Sequence, residues 1–106
     1  SDFRVESDSN THMLFVDAGN DKIGINTSSP AKPFHISSAD NQPLRVESTD
    51  AYSGVELKDN GASTLPPLIS GLSDGFKIYA GHGSSRPEVM AIDSTGAVKQ
   101  HLTKTT

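Results

Sequence analysis

Few residues of this chain have the types and spacing that catalysis requires, and the best match is the pentapeptide at residues 71–75. It fits the G-x-S-x-G pattern of a nucleophile elbow around Ser73, and Asp93 and His101 follow in the chain order of a hydrolytic triad. That elbow needs a helix directly after the serine, whereas residues 76–79 alternate between apolar and polar types as a strand does. The pentapeptide is therefore predicted to be a turn between strands, and no enzymatic activity is expected.

Two further segments partly match motifs that bind a phosphate or a calcium ion. Residues 19–24 have the glycine spacing of a P-loop, but Ile25-Asn26 stands where that loop needs Lys followed by Ser or Thr. A calcium loop could begin at Asp17, but its twelfth position is Ser28 instead of the bidentate Glu of an EF-hand. Because each motif lacks a required residue, both segments are predicted to be parts of an ordinary hairpin turn. Binding of an isolated cation at the surface is left as an alternative.

Metal ligands, cofactor ligands and sugar-stacking residues are also sparse. The four histidines show neither H-x-H nor H-x-x-x-H spacing; they are His12, His35, His82 and His101. Tyr52, Tyr79 and His82 are candidates for stacking on a sugar at loops or strand edges. The sequence predicts no catalytic residue, no metal ligand and no cofactor.

The composition favours an assembly part over a self-sufficient domain. The chain has 106 residues and a net charge of -4, so nucleic acid and anionic membranes are disfavoured as partners. No apolar run approaches the roughly 18 residues that cross a bilayer, so no membrane insertion is expected. Ser, Thr, Asn, Asp, Gly and Pro make up about half of the chain, and hydrophobic residues make up 33%. A chain of this size with so little apolar material is either marginally stable or completed by partners.

Short strands are the elements that must position these residues. Residues 13–16 and 23–25 flank turn-forming residues at 17–20, which predicts a β-hairpin. Pro33 lacks a backbone donor, so a strand at 34–36 should begin there or lie at an edge. Further strands are predicted at residues 3–6, 44–48, 55–58, 76–79 and 90–93, and residues 63–75 are expected to be irregular. No stretch of twelve residues keeps a helical period, so the fold class is all-β.

The strands recur as three copies of one pattern. The copies start at Phe3, Leu44 and Phe76, and residues 44–48 repeat residues 3–7 almost letter for letter. Irregular β-repeats of this length are typical of stacked units too small to bury their own apolar faces. The chain is therefore predicted to be a single segment of three repeats, at about 1–43, 44–75 and 76–106.

Residues 13–16 are apolar at every position. Because successive side chains of a strand point to opposite faces, both faces of this strand should be dry. A small sheet normally buries one face, so the second face indicates another sheet and, we expect, another chain.

The segment from Asp17 to Ile36 resembles repeats of the form D-x-x-G-N-V-G-I-G-T-x-x-P-x-x-K-L-x-V, which recur in tail fibres, tail spikes and related virion appendages of bacteriophages. The departures are one extra residue at Asp21-Lys22, Asn26 in place of Gly, and Pro33 inserted after Lys32. The resemblance implies short hairpin repeats in an intertwined homotrimeric fibre, like a β-prism or a triple-stranded β-helix. It also implies a virion location, other virion proteins as partners, and support of attachment to a host surface glycan or receptor.

In such a trimer, six residues are predicted to form the interchain contacts: Met13, Phe15, Val55, Leu57, Met90 and Ile92. Phe3, Phe34, Leu44 and Phe76 are expected to anchor the intrachain side. A threefold assembly could also bring three His35 rings together around a metal. The alternative is a glycan- or receptor-binding β-sandwich or a capsid decoration domain that recognises its ligand through loops 50–54 and 81–87.

Overall fold

The computed structural model describes residues 1–61 and 64–100, and the regular elements in these ranges are all β-strands, as predicted. No helix capable of crossing a membrane occurs in these ranges. The chain divides into two compact units, Ser1–Arg45 and a second that begins at Val46. The first unit contains β1 (Phe3–Val5), β2 (Leu14–Asp17), β3 (Lys22–Ile25) and β4 (Phe34–Ile36). The second contains β5 (Ser53–Glu56), β6 (Leu68–Leu72), β7 (Gly75–Tyr79), β8 (Glu88–Ile92) and β9 (Val98–Gln100).

The predicted hairpin lies at the centre of the four-stranded sheet of the first unit. β2 and β3 pair antiparallel over all four residues of each strand, and β1 pairs antiparallel with β2. Four residues close the hairpin, and the last of them, Asp21, has a positive φ of 55°. The side-chain amide of Asn20 donates to the Asp17 carboxylate at 2.9 Å. Short polar residues tolerate this backbone, which is why the turn could be recognised from its residue types.

β4 lies at the edge of this sheet and begins directly after Pro33, which confirms the prediction from that proline. β4 pairs parallel with β3, a direction that the sequence did not reveal. The loop 26–33 therefore carries the chain back along the sheet. A Cβ at Gly24 would lie 2.7 Å from the carbonyl oxygen of Thr27, and Pro30 is buried. The loop thus packs against the face of the sheet to which a side chain at position 24 would project.

The five-stranded sheet of the second unit is antiparallel throughout, with its strands in chain order. Ser73 and Asp74 close the β6–β7 hairpin with φ values of 48° and 61°. Positive φ at both central residues is the mark of a type I′ turn, which suits the twist of a two-residue hairpin. Ile78 pairs with Met90 while the next residue pairs with Glu88, so one extra residue forms a β-bulge in β8.

Two sequence predictions of secondary structure are wrong. Residues 44–48 form no strand although they copy residues 3–7, because alternation yields a strand only where a neighbouring strand completes the ladder. Conversely, β6 occupies part of the segment expected to be irregular, since Ser70 and Gly71 interrupt the apolar alternation. The strands predicted at 55–58 and 90–93 form, but each begins two residues earlier. Residues 62 and 63 lie outside the described part of the chain.

Little apolar material is buried in the described residues. Phe15 has 7% of its surface exposed and is the buried large hydrophobic side chain of these residues. The predicted intrachain anchors are exposed instead, with Phe3 at 60%, Phe34 at 59%, Leu44 at 60% and Phe76 at 37%. The expectation that these four residues anchor the intrachain side is therefore wrong. The exposure of Phe3, Phe34 and Phe76 follows from the sheet register, whereas Leu44 lies outside any strand.

Candidate assembly surfaces

The register of the first sheet places its apolar side chains on one face. Phe3, Val16, Ile23 and Phe34 lie opposite one another across the four strands and form one row. Side chains of directly paired residues point to the same face, and residues two apart along a strand share that face. A second row on the same face consists of Val5, Leu14, Ile25 and Ile36. We call these eight residues the apolar face of the first unit.

The opposite face of the first sheet is charged at its ends and covered at its centre. Its central row consists of Arg4, Phe15, Gly24 and His35. The ring of His12 lies edge-on to that of Phe15 with centroids 5.0 Å apart. Loop 26–33 packs on the same side against Gly24, which pairs with Phe15, and Phe15 is buried. Asp17 and Lys22, which pair at the end of the hairpin, project to this face as well.

The apolar face of the first unit remains open within that unit. Val5 and Ile23 expose 45% and 40% of their surfaces, and the two phenylalanines are more exposed still. Contiguous exposed apolar surface of this kind is a candidate contact surface.

The second sheet has a comparable face. Seven apolar residues share it, in two rows completed by Ser53, Gly71 and Gln100. We call the seven the apolar face of the second unit: Val55, Ile69, Phe76, Ile78, Met90, Ile92 and Val98.

The other face of the second sheet carries its charged side chains. Lys77 and Glu88 form an ion pair at 2.8 Å, and this hydrogen bond raises the pKa of the Lys77 ammonium group. The guanidinium group of Arg86 donates to the carbonyl oxygen of Pro66 at 2.6 Å and also pairs with the Glu56 carboxylate. These charged side chains therefore lie off the apolar face of the second unit, on the side of the sheet that also carries Leu68 and Leu72.

The six residues predicted to form a trimer interface fall into three groups. Val55, Met90 and Ile92 lie on the apolar face of the second unit. Met13 and Leu57 adjoin strands and expose 45% and 55% of their surfaces. Phe15 is already covered within its own unit, so a change there would alter folding as well as assembly. The six-residue interface stays a prediction.

The candidate catalytic serine lies in a turn between two strands. Ser73 follows β6 and precedes β7, so the helix that a nucleophile elbow requires is replaced by a strand. Asp93 uses its carboxylate in another turn, where it accepts hydrogen bonds from the Thr95 hydroxyl at 2.6 Å and from the Ala97 N–H at 3.1 Å. These bonds lower the pKa of Asp93, with the Thr95 hydroxyl contributing most. The third candidate, His101, lies outside the described residues.

The residues considered for metal or sugar binding are dispersed. In the described ranges no three His, Asp or Glu side chains lie close enough together to hold a metal ion. The Nδ1 atom of His35 accepts the N–H of Ala31 at 2.9 Å, and that of His82 accepts the N–H of Ser84 at 3.3 Å. Tyr52 is exposed, whereas Tyr79 is half-buried on the charged face of the second sheet. The structure does not bring these aromatic residues together on one strand or row.

Sequence reasoning missed the apolar face of the first unit. Its signal was present in the alternation at 3–5 and 34–36, where the outer residues of each triplet are apolar. The missing information was the non-local register that aligns Phe3 and Phe34 with the central hairpin.

Comparison with known proteins adds no family to this description. The chain matches no protein-family model, and no curated protein matches it. The resemblance of residues 17–36 to phage appendage repeats therefore stays a prediction, and the two apolar faces are the strongest guide to function.

Proposed function

We propose that this chain is a structural component of a bacteriophage virion appendage, such as a tail fibre, a spike or a head or neck fibre. Three copies assemble around one axis and together form a β-structured segment. The segment supports attachment to the host by transmitting force or by spacing a receptor-binding tip from the particle. Its role is mechanical.

The shortage of buried apolar side chains in the single chain is the observation that carries this proposal. Phe15 is buried, while fourteen large hydrophobic side chains of the described residues are at least about one-third exposed. Burying one such side chain contributes roughly 1.5–3 kcal/mol. Contacts between copies would thus add more burial than the described chain achieves within itself.

The local resemblance to appendage repeats supports the same conclusion from a different direction. It rests on residues 17–36, which include the hairpin turn, Gly24 and the proline-flanked loop. The packing argument rests on exposed side chains that mostly lie outside that turn and loop. Two largely separate sets of residues therefore favour one function.

Particle analysis tests the proposal. Purified particles of the phage that encodes this chain are expected to yield its peptides by mass spectrometry. Antibody fragments against the chain should label thin projections in negatively stained images of these particles. Labelling of the capsid shell would instead indicate a decoration domain. That result, or peptides confined to the infected cell, would overturn the proposal.

A further inference from the structure

We propose that Asn60-Gly61 is a site of spontaneous deamidation, at which the side-chain amide of Asn60 is lost and a new carboxylate appears on the surface. The pair lies in the connection between β5 and β6. This inference is independent of the proposed function, because it depends on the chemistry of one loop and not on the assembly of copies.

The order of the two residues favours this reaction. Asparagine deamidates when the backbone nitrogen of the following residue attacks the carbonyl carbon of the asparagine side chain. A β-carbon on the following residue hinders that approach, and glycine has none. The chain has five asparagines, and Asn60 is the one that glycine follows. The other four precede Thr, Asp or Gln, and they are at positions 10, 20, 26 and 41.

The local structure leaves the reacting atoms accessible. Asn60 and Gly61 are exposed and lie in a turn outside the β5–β6 ladder. Among the described residues, a β-carbon built on Gly61 would come within 4 Å of the Asp59 carboxylate alone, at 3.7 Å. Exposed loops open more readily than paired strands, so this turn can reach the geometry that ring closure needs.

Other asparagines of the chain use their side-chain amides in hydrogen bonds. The amide of Asn10 donates to the side-chain oxygen of Asn26, and the amide of Asn26 donates to the carbonyl oxygen of Ser37 at 2.8 Å. Asn20 donates within the β2–β3 turn. Such bonds hold a side chain in one rotamer and oppose its turning towards the attacking nitrogen. The side chain of Asn60 makes no such bond within the described residues.

One hydrogen bond at the site opposes the reaction. The backbone N–H of Gly61 donates to the Asp59 carboxylate at 3.0 Å, and the nitrogen must lose this proton in order to attack. The bond joins close neighbours in an exposed loop, where water competes for both groups. It therefore slows the reaction without preventing it.

The reaction needs water and no other reagent. The deprotonated nitrogen of Gly61 forms a bond to Cγ of Asn60, the bond from Cγ to the side-chain nitrogen breaks, and ammonia leaves with a proton taken from water. Water then opens the resulting five-membered imide at either of its two carbonyl carbons. One opening gives an aspartyl residue at position 60, and the other gives an isoaspartyl residue whose main chain passes through the former side chain.

Peptide mapping by mass spectrometry tests this assignment. The folded wild-type chain, kept in mildly alkaline buffer, should accumulate a product in which NH is replaced by O at position 60 before any other asparagine changes. Isoelectric focusing should show a species one charge more negative than the starting chain. The rate should rise with pH, because the amide nitrogen must lose its proton before it attacks.

Two variants make the test specific. G61A should deamidate at least tenfold more slowly, because its β-carbon hinders the attacking nitrogen. The 3.7 Å to the Asp59 carboxylate leaves room for that β-carbon, and circular dichroism should show an unchanged fold. N60Q should show no product at this position, since its longer side chain would need a six-membered ring. Equal rates in G61A and the wild type, or earlier reaction at another asparagine, would overturn the inference.

Discussion

Phe15 and the phenylalanines at positions 3 and 34 have the same chemistry but opposite environments. Phe15 is buried and lies against the ring of His12, whereas Phe3 and Phe34 are exposed on the other face of the sheet. Residue type could not separate them. Their environments differ because Phe15 points to one face of the sheet while Phe3 and Phe34 point to the other. The pairing between strands that are distant in the sequence sets these directions.

We expect Phe15→Ala to destabilise the first unit by about 3 kcal/mol, because truncating a buried phenylalanine removes apolar contacts and leaves a cavity. Urea unfolding measures this loss. Phe15→Leu, which keeps most of the volume, should cost less than half as much. Since Phe15 packs within one chain, the loss should not depend on protein concentration. An equal loss for both variants would contradict the packing described for this residue.

Asp93 is expected to make the β8–β9 turn sensitive to acid. Its folded pKa lies below the ordinary value, so the stabilisation is fully present above about pH 4 and is lost as the pH falls through the lowered pKa. Amide protection factors of Thr95 and Ala97, measured by NMR between pH 2 and pH 6, should fall together on acidification. Asp93→Ala should remove this pH dependence, and unchanged protection in that variant would contradict the assigned hydrogen bonds.

At the scale of elements, local chemistry predicted the β2–β3 hairpin well. Its turn residues, its alternation and the following Pro33 each act over a few positions, and together they specify the strands and one sheet edge. Residues 44–48 show the limit of such reasoning. Their alternation matches β1, but strand formation depends on a partner that local sequence does not reveal.

Gly24 is an element-scale requirement because loop 26–33 closes directly over it. A Cβ there would lie 2.7 Å from the carbonyl oxygen of Thr27, and backbone cannot yield cheaply. We expect Gly24→Ala to destabilise the first unit by about 1–3 kcal/mol. Gly83→Ala is the matched control, since a Cβ at Gly83 meets nothing within 4 Å. Thermal unfolding compares the two, and equal melting temperatures would show that the loop is not held against Gly24.

The β6–β7 turn offers a stabilising change. Ser73 and Asp74 both adopt the left-handed region, where type I′ turns prefer Asn followed by Gly. The double variant S73N/D74G should therefore raise the free energy of unfolding by about 0.5–1 kcal/mol, since strain at a non-glycine residue in this region costs roughly 1–2 kcal/mol and added glycine flexibility offsets part of it. A urea midpoint lower than that of the wild type would contradict a type I′ turn at Ser73 and Asp74.

At the scale of the whole molecule, composition predicted that little apolar material is buried, as the described residues show. The all-β class followed from the same composition and from the absence of a helical period. The apolar side chains that stay exposed in the first unit could not be predicted individually. Their exposure depends on the register between β1, the hairpin and β4, and on loop 26–33 folding over one face. Those are non-local features that pair residues 9 to 13 positions apart.

The mass of the wild-type chain in solution tests the central claim most directly. Sedimentation or light scattering over a hundredfold range of concentration should give a species of three times the 11.2 kDa chain mass, which dissociates on dilution. A folded species of 11.2 kDa at every concentration would show that the exposed apolar faces need no second copy, and it would contradict the account.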